Sequence, residues 1–569
     1  MRLEDYPEST WRPNQKDGAH MMLAVALENG PRRVGIEGPC GSGKSHMYLR
    51  ALLDDRCPPS VVMTTTRQHL TQIEETLKRD FPGESWEVLR GRDHYGCCKS
   101  PRPAPGEDTV DAKEVWATAG APGQCPLGLD CRYRAAVIRA GLARMTIQCT
   151  IGALYRRRFW SQLELAEDPT PAQRELHEAR QAILNRSVAV LDEAHEYLRV
   201  RREFETERLA IWPAAFRPEL QTALQKARVK WGGYKSNAVL LKRNHGLGLA
   251  IECEYRDMLK PENLERAVDQ AERAAKKSGK AFNRTAHQLM IEKQCNDRIA
   301  LLQKFATDKD GSPTPKYDPV VYVEFDGLKC RLVSEPLYIN DRDKFAAKEV
   351  FTSATLAGVA GLLGIDTKQW LHCFPPVFSP EAIDPLPLDD NADGTQKNVP
   401  LGADQLTELY ESEGRPLTIA LYLSKNAAHA AAGGIARQPG VFVQGWRGEQ
   451  DEEMALGEMV SQVKAAAARG ETPFLVCYGG WVGTDIPGEK WLVIGQAPKT
   501  PLAPYIEERQ NRKLGAGWND YEKVTLDRLQ LAQGLGRALR SAEDRAVVIW
   551  PNNSAFRQLG LDPATGQLR

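Results

Sequence analysis

One short segment has the residue types and spacing of a phosphate-binding loop. Gly38-Pro-Cys-Gly-Ser-Gly-Lys-Ser45 fits G-x-x-x-x-G-K-[ST], with a β-type run before it and a helix-favouring run after it. The glycines let backbone N–H groups surround phosphate oxygens, while Lys44 reaches the β- and γ-phosphates and the Ser45 hydroxyl binds Mg²⁺. The alternative is a glycine-rich turn that happens to precede Lys-Ser. We predict an ATP site contacted by Gly38, Gly41, Ser42, Gly43, Lys44 and Ser45.

Two adjacent carboxylates end a second apolar run, Ser187-Val-Ala-Val-Leu191. If this run forms a strand beside the phosphate loop, Asp192 lies at the Mg²⁺ and Glu193 can polarise the attacking water as general base. The alternative for the segment alone is a strand that ends in a solvated acidic cap. Together with the phosphate loop, the pair predicts nucleotide hydrolysis.

Four of the twelve cysteines lie in one proline- and glycine-rich region, residues 96–131. The others are scattered singly, and no secretion signal accompanies them, so a disulfide framework is not expected. Thiolates gathered in an irregular insert are typical of a metal or iron–sulfur site. The candidates are Cys97, Cys98, Cys125 and Cys131.

The elements that must position these residues follow an α/β pattern. Runs at 33–37, 60–64, 187–191 and 349–352 predict one parallel sheet, with helices between its strands. Runs at 417–423, 441–443, 474–476, 491–494 and 546–549 predict a second α/β lobe after a Pro/Asp-rich linker at about 374–400. Residues from about 200 to 335 are charged and helix-favouring, which predicts a mainly helical insertion.

Composition limits the class of protein. The 569 residues predict several domains, and 42% hydrophobic with 26% charged residues is ordinary globular composition. The 75 basic and 75 acidic residues cancel, which counts mildly against nonspecific coating of nucleic acid but not against one basic groove. No apolar run reaches about 18 residues and residues 1–10 lack a signal-peptide core, so we expect a cytoplasmic protein without a membrane partner.

Several motifs together resemble one family. Asp192-Glu-Ala-His195 is similar to the DEAH motif of superfamily 2 helicases, and Ser353-Ala-Thr355 resembles their motif that couples hydrolysis to lobe movement. Gln533-Gly-Leu-Gly-Arg537-Ala-Leu-Arg540 resembles their sixth motif, Q-x-x-G-R-x-x-R. Their order and separations resemble the XPD/DinG branch over nearly the whole chain. The resemblance assigns coupling to His195, Ser353 and Thr355, and catalysis to Lys44, Asp192, Glu193, Gln533, Arg537 and Arg540, with at least one arginine acting as a finger on the γ-phosphate.

Three further segments fit this branch. Gln15 in Arg12-Pro-Asn-Gln15 lies where the branch has an adenine-contacting glutamine. Thr64-Thr-Thr-Arg-Gln-His-Leu70 looks like motif Ia, which assigns nucleic-acid contacts to Thr66 and Arg67. Residues 478–488 resemble the fifth motif, with Trp481 as a further nucleic-acid candidate and Val482 where the family usually has glutamate.

The resemblance implies an α/β fold with two RecA-like parallel-sheet lobes and two inserts in lobe one. Lobe one would comprise residues 1–90, 146–200 and 336–372, interrupted by a cysteine insert at 91–145 and a helical arch at 201–335, and lobe two would comprise 373–569. The insert would hold a [4Fe–4S] cluster on Cys97, Cys125 and Cys131. Residues 119–124 lack the usual fourth cysteine. Three interpretations stay open: a cluster completed by Cys98, a degenerate insert without a cluster, and a zinc site.

The resemblance also implies an activity. An XPD/DinG-type protein is an ATP-dependent, DNA-stimulated helicase that moves 5′ to 3′ on single-stranded DNA and unwinds forked duplex DNA, with the cluster domain as wedge. An RNA–DNA hybrid is a further candidate substrate. Two alternatives remain: a translocase or remodeller that does not unwind, and a motor subunit of a CRISPR-associated or phage assembly. The sequence leaves the pathway, the protein partners and the oligomeric state open.

Overall fold

We describe the protein from a computed structural model. The described residues are 2–12, 14–27, 33–38, 43–95, 132–165, 167–211, 216–227, 229–230, 237–241, 245–278, 282–303, 319–326, 329–336, 345–353, 356, 359–373, 383–389, 400–446, 456–478, 486, 488–496, 531, 534–535 and 544–552.

The first sheet contains seven parallel strands within the described residues. Its strands are short and mostly apolar, as expected where helices cover both faces of a parallel sheet. They are β1 (Arg33–Glu37), β2 (Ser60–Thr64), β3 (Trp86–Val88), β4 (Met145–Cys149), β5 (Val188–Asp192), β11 (Lys348–Ser353) and β12 (Leu371–Cys373). Their order is β12-β1-β11-β5-β2-β4-β3. The four strands predicted from the sequence are therefore neighbours, and the prediction of a parallel sheet is confirmed.

Helices connect these strands. They are α1 (Gln15–Leu27), α2 (Lys44–Leu53), α3 (Arg67–Asp80), α4 (Arg92–Tyr95), α5 (Arg132–Leu142), α6 (Thr150–Trp160), α7 (Pro171–Leu184) and α8 (Tyr197–Glu205). Short 3₁₀ turns lie at Leu3–Asp5, Glu8–Thr10, Ala194–Glu196 and Ala360–Leu363. Helix α7 begins with a capping box, in which the Thr170 hydroxyl accepts from the Gln173 N–H and the Gln173 side chain accepts from the Thr170 N–H. Such signals fix where the helices begin between buried strands.

The second parallel sheet lies in the C-terminal part of the chain. Its strands are β13 (Ile383–Asp389), β14 (Leu417–Leu421), β15 (Val441–Val443), β16 (Phe474–Cys477), β17 (Lys490–Ile494) and β18 (Ala546–Asn552), and its helices are α13 (Ala403–Glu411), α14 (Lys425–Ala432) and α15 (Leu456–Ala468). The strand order is β13-β18-β17-β14-β16-β15 among the described residues. The predicted second lobe is confirmed. The predicted linker at 374–400 was wrong in part, because β13 pairs with β18 in spite of its two prolines; β13 is an edge strand, where proline is tolerated.

A separate compact unit holds the described residues between 201 and 336. Its helices are α9 (Pro218–Lys226), α10 (His245–Met258), α11 (Pro261–Lys277) and α12 (Arg284–Gln303). It also contains an antiparallel sheet of five strands in the described part of the chain, in the order β6-β10-β9-β8-β7. These strands are β6 (Glu207–Ile211), β7 (Val229–Lys230), β8 (Asn237–Leu240), β9 (Val320–Asp326) and β10 (Lys329–Glu335).

The prediction of a helical insertion was therefore incomplete. Helices separate β6 from β7 and β8 from β9, and the strands carry charged residues such as Glu324 and Arg331, which obscure the apolar alternation. Val323, Leu332 and Val239 are nevertheless fully buried beneath the helices. In this unit, pairing between strands determines the sheet, which the local propensities of the sequence did not indicate.

No helix in the described part of the chain is long and apolar enough to cross a membrane.

Candidate functional site

The carboxyl ends of four neighbouring strands bring the sequence motifs together. The phosphate loop follows β1, Ser353 ends β11, Asp192 ends β5 and the motif Ia segment follows β2. In register, Glu37 lies opposite Ser353, and Thr352 lies opposite Asp192. Since ligands of open parallel sheets bind at the carboxyl ends of the strands, this edge is the candidate site.

The phosphate loop is held by its own residues and by α1. Gly43 caps α2 with φ +74°, a left-handed conformation that favours glycine. Gln15 Nε2 donates to the Gly43 carbonyl at 2.9 Å, and Gln15 Oε1 accepts from the Arg12 N–H at 2.9 Å. A Cβ at Gly43 would lie 1.8 Å from Gln15 Nε2, so only glycine permits this approach. Gln15 therefore connects the Arg12 backbone to the residue that caps α2.

Lys44 spans the loop. Its Nζ donates to the Gly38 carbonyl at 2.8 Å, and the Gly38 N–H donates to the Ser353 carbonyl at 3.0 Å. The first glycine of the loop is thus tied to the end of β11. Gly41 and Ser42 lie outside the described residues.

Asp192 is buried and bonded on both oxygens. Its Oδ1 accepts from the Thr352 hydroxyl at 2.8 Å and from the Glu193 N–H at 2.9 Å, and its Oδ2 accepts from the Tyr48 phenol at 2.7 Å. His69 Nε2 lies 3.4 Å from Oδ2. Among the described residues, neither lysine nor arginine pairs with this carboxylate. Its hydrogen-bond donors are two hydroxyls and a backbone amide, so the His69 ring is the one ionisable basic group beside it among the described contacts.

Tyr48 connects the two proposed Mg²⁺ ligands. Burial raises the pKa of its phenol well above the usual range, and the negative charge of Asp192 raises it further. The phenol therefore stays protonated and donates to Asp192, and the Ser45 side chain lies beside the same phenol. Carboxylate and hydroxyl oxygens are the ligand types that Mg²⁺ prefers, so Asp192 and Ser45 fit such an ion.

Glu193 and His195 follow Asp192 in a tight turn. Glu193 has φ +52° and ψ +47°, which is uncommon for a residue with a side chain. Its carboxylate is 20% exposed, so solvent reaches it beside the buried Asp192. His195 Nδ1 shares a hydrogen bond of 2.7 Å with the Ser353 hydroxyl, and His195 is 3% exposed. Ser353 consequently contacts the phosphate loop through its backbone and the Asp192–His195 turn through its side chain.

Motif Ia lies at the same edge of the sheet. The Thr66 hydroxyl caps α3 by accepting from the His69 N–H at 3.1 Å, and Arg67 is exposed. Thr150 at the start of α6 donates to the Thr64 carbonyl at 3.1 Å. The start of α3 and the start of α6 are therefore adjacent.

Three residues of this arrangement were not predicted from the sequence: Tyr48, Thr352 and His69. Tyr48 lies three residues after Ser45 on a helix, a spacing that puts both on one face and could have revealed it. His69 stands inside the motif Ia segment and Thr352 ends the run 349–352, but nothing in their spacing indicates contact with Asp192.

Several predicted site residues lie outside the described part of the chain. They are Thr355, Trp481, Gln533, Arg537, Arg540 and the cysteines Cys97, Cys98, Cys125 and Cys131. Within the described residues, no group of three or more His, Cys, Asp or Glu side chains could hold a metal ion. The helices that flank the cysteine insert do meet, since the Tyr95 and Tyr133 ring centroids are 5.6 Å apart.

Comparison with solved structures identifies the fold. An XPD helicase structure is similar over 96% of this chain and 96% of its own, with 15% identity and a TM-score of 0.51. The structure of S. tokodaii Xpd4 is similar over 96% of this chain and 97% of its own, with 12% identity and a TM-score of 0.52. No protein-family model matches the sequence, and no curated protein does. The chain has the α/β fold of XPD helicases, with two RecA-like parallel sheets.

Proposed function

We propose that this protein is an ATP-hydrolysing nucleic-acid motor that moves 5′ to 3′ on single-stranded DNA and unwinds duplex DNA. The observation that carries the proposal is the carboxyl edge of the first sheet, where Lys44 follows β1, Ser353 ends β11, and Asp192 and Glu193 follow one another at the end of β5, on three adjacent strands. The XPD helicase fold supports it.

The proposed chemistry uses this chain's residues in distinct roles. Gly38, Gly41, Ser42, Gly43 and Lys44 would hold the ATP phosphates, and Gln15 would face adenine. Ser45 and Asp192 would hold Mg²⁺, which neutralises charge that develops on the phosphates.

Hydrolysis and its coupling would fall to other residues. Glu193 would orient water and accept its proton at the side-chain oxygen, since its carboxylate is the more exposed of the adjacent pair. His195, Ser353 and Thr355 would couple hydrolysis to movement of the lobes. Gln533, Arg537 and Arg540 would complete the site from lobe two, a role that rests on the motif resemblance.

The domain organisation is part of the proposal. Residues 1–90, 146–200 and 336–372 form lobe one, 373–569 lobe two, and 201–335 the arch. Residues 91–145 would carry a [4Fe–4S] cluster on Cys97, Cys98, Cys125 and Cys131, with Cys98 as the fourth ligand. The contact between Tyr95 and Tyr133 supports it, because these residues stand two positions outside Cys97 and Cys131 and bring the ends of the insert together.

Strand displacement on duplexes with a 5′ or a 3′ single-stranded tail tests the proposal. Unwinding from the 5′ tail only, lost in Lys44→Ala and kept in Lys78→Ala, is the expected result. Lys78 is a suitable control because its exposed side chain pairs only with Glu74 among the described contacts. Hydrolysis stimulated by DNA without displacement from either tail would leave a translocase, and preference for the 3′ tail would contradict the polarity.

Two companion measurements test the finer points. The same tails made of RNA decide between DNA and RNA as the track. A second measurement decides whether the insert binds an iron–sulfur cluster, zinc or neither. It compares the iron, acid-labile sulfide and zinc contents of the purified protein with those of Cys131→Ser. Iron and sulfide in equal amounts, lost in the variant, are expected; zinc, or neither metal, would contradict the cluster.

A further inference from the structure

Two exposed aromatic rings stack on the surface of helix α6. Tyr155 is 48% exposed and Phe159 is 57% exposed, although both are large side chains in an ordered helix. Their ring planes lie 3° from parallel, and the ring centroids are 6.1 Å apart. Four residues apart on a helix, they form one exposed aromatic face. Exposed aromatic rings give a flat ligand a surface on which it can stack.

The charge around this face favours an anionic occupant. Helix α6 contains Arg156, Arg157 and Arg158 and no acidic residue. Arg156 is buried, where it donates to Gln148 and to the carbonyls of Leu89 and Arg90, and so fixes the helix on the sheet. Arg158 is exposed and lies three residues after Tyr155, beside the stacked rings. The surface therefore combines aromatic faces with positive charge.

The position of the helix relates this face to the candidate site. Thr150, the first residue of α6, bonds to Thr64, two residues before Thr66. A rise of about 1.5 Å per residue puts Tyr155 about 7 Å and Phe159 about 13 Å along the helix axis from Thr150. Both rings are therefore within about 15 Å of the start of α6, which adjoins motif Ia.

We propose that Tyr155 and Phe159 form a stacking platform for unpaired bases of a single-stranded nucleic acid, with Arg158 on its backbone. The proposal rests on the proposed function and adds a base-binding surface outside the recognised motifs. Aromatic platforms beside basic residues bind single strands with little sequence preference, because every base has a flat face. A protein partner is the competing occupant, and the test below separates the two.

Fluorescence anisotropy with the full chain tests the platform. Three probes of equal length serve: oligo-dT, oligo-rU, and an oligonucleotide with abasic positions, which keeps the phosphates but lacks bases. Wild type should bind the first two more tightly than the abasic probe. Tyr155→Ala with Phe159→Ala should weaken binding of the base-containing probes at least about tenfold and leave the abasic probe almost unaffected.

Matched variants separate the loss of the aromatic rings from the loss of charge and from the loss of an unrelated apolar side chain. Tyr155→Phe with Phe159→Tyr keeps both rings and should bind as wild type does. Arg158→Ala should weaken all three probes by a similar factor, because it removes charge and not stacking. Leu142→Ala removes another exposed apolar side chain, 81% exposed on α5, and should change nothing. Melting temperatures of all variants check folding.

The outcomes are distinguishable. If wild type binds none of the probes, the proposed function fails, and the platform with it. If wild type binds and the double alanine variant binds base-containing probes equally well, the platform alone is overturned. That second result would favour a protein partner for this face.

Discussion

The two ends of the parallel strands contain different kinds of buried polar groups. At the amino ends, charges are paired: Lys490, which begins β17, lies 3.4 Å from Asp544, and Arg33, which begins β1, lies 2.9 Å from Glu349. At the carboxyl end of β5, Asp192 is bonded by neutral hydroxyl and amide donors. Paired charges neutralise each other and serve the fold, whereas for Asp192 we propose that a bound cation takes that part. This difference suggests a criterion that can be tested: a buried carboxylate without a lysine or arginine partner is the candidate for a ligand site.

The largest effect is expected at the carboxyl edge. Glu193→Gln removes the proposed base and should lower ATP hydrolysis about a thousandfold, with ATP binding and the melting temperature kept. Glu196→Gln, three residues on, is the control and should retain most activity. Steady-state hydrolysis and nucleotide binding measure both. Loss of hydrolysis in both variants, or in neither, would contradict the role of Glu193.

At the amino ends of the strands, the expected effect is on the stability of the fold. Asp544→Ala leaves the buried Lys490 without its charged partner and the Gly488 N–H without its acceptor, and should lower the free energy of unfolding by about 3–5 kcal/mol. Lys490→Met together with Asp544→Leu should lose less than the sum of the single variants, since it leaves no buried charge. Denaturant unfolding followed by circular dichroism measures this. Strictly additive losses would mean that the pair does not act as a unit.

Tyr48→Phe tests the hydrogen bond between Tyr48 and Asp192, a proposed Mg²⁺ ligand. Losing the bond to Asp192 should cost about 1–1.5 kcal/mol and raise the Mg²⁺ concentration for half-maximal hydrolysis about tenfold. Tyr422→Phe is the control, because its phenol is also buried and donates to the Leu401 carbonyl in lobe two. That control should lower stability and leave the Mg²⁺ dependence unchanged. An unshifted Mg²⁺ curve for Tyr48→Phe would exclude the positioning role.

The smallest effect is expected for two serines at opposite ends of strands, Ser353 at the end of β11 and Ser60 at the start of β2. Ser353→Ala removes the bond to His195 and should reduce strand displacement several-fold more than ATP hydrolysis, at a cost of about 1 kcal/mol. Ser60 begins β2, and its buried hydroxyl has no hydrogen-bond partner in the described part of the chain. Ser60→Ala should therefore be neutral or stabilising. Equal loss of displacement and hydrolysis in Ser353→Ala would contradict a coupling role.

The sequence predicted both parallel sheets because their strands are continuous apolar runs. Arg33–Glu37, Ser60–Thr64 and Val441–Val443 form strands with the predicted bounds. The antiparallel sheet within 201–336 was missed, although its strands β9 and β10 are separated only by residues 327–328. The pairs β6–β10 and β8–β9 join strands that are far apart in the sequence. Pairing between distant strands is a tertiary property that local periodicity does not express.

The candidate site was predicted to a similar extent. Motif spacing identified Lys44, Asp192 and Ser353, and strand order explains why they meet. Spacing did not identify Tyr48, Thr352 or His69, because the contact of each with Asp192 depends on the packing of separate elements. The roles of Arg537 and Arg540 remain predictions from the motif.

The position of β11 has a consequence for synthesis of the chain on the ribosome. This strand lies between β1 and β5, yet it follows β5 by on the order of 150 residues, so those two strands have no common neighbour until residues 348–353 emerge. Translation adds about 5–20 residues per second, so for roughly 10–30 seconds the carboxyl edge of the first sheet lacks β11. A chain released after residue 336 should be cleaved by protease across residues 33–64 much faster than the full chain. Equal resistance would mean that the first strands fold without β11.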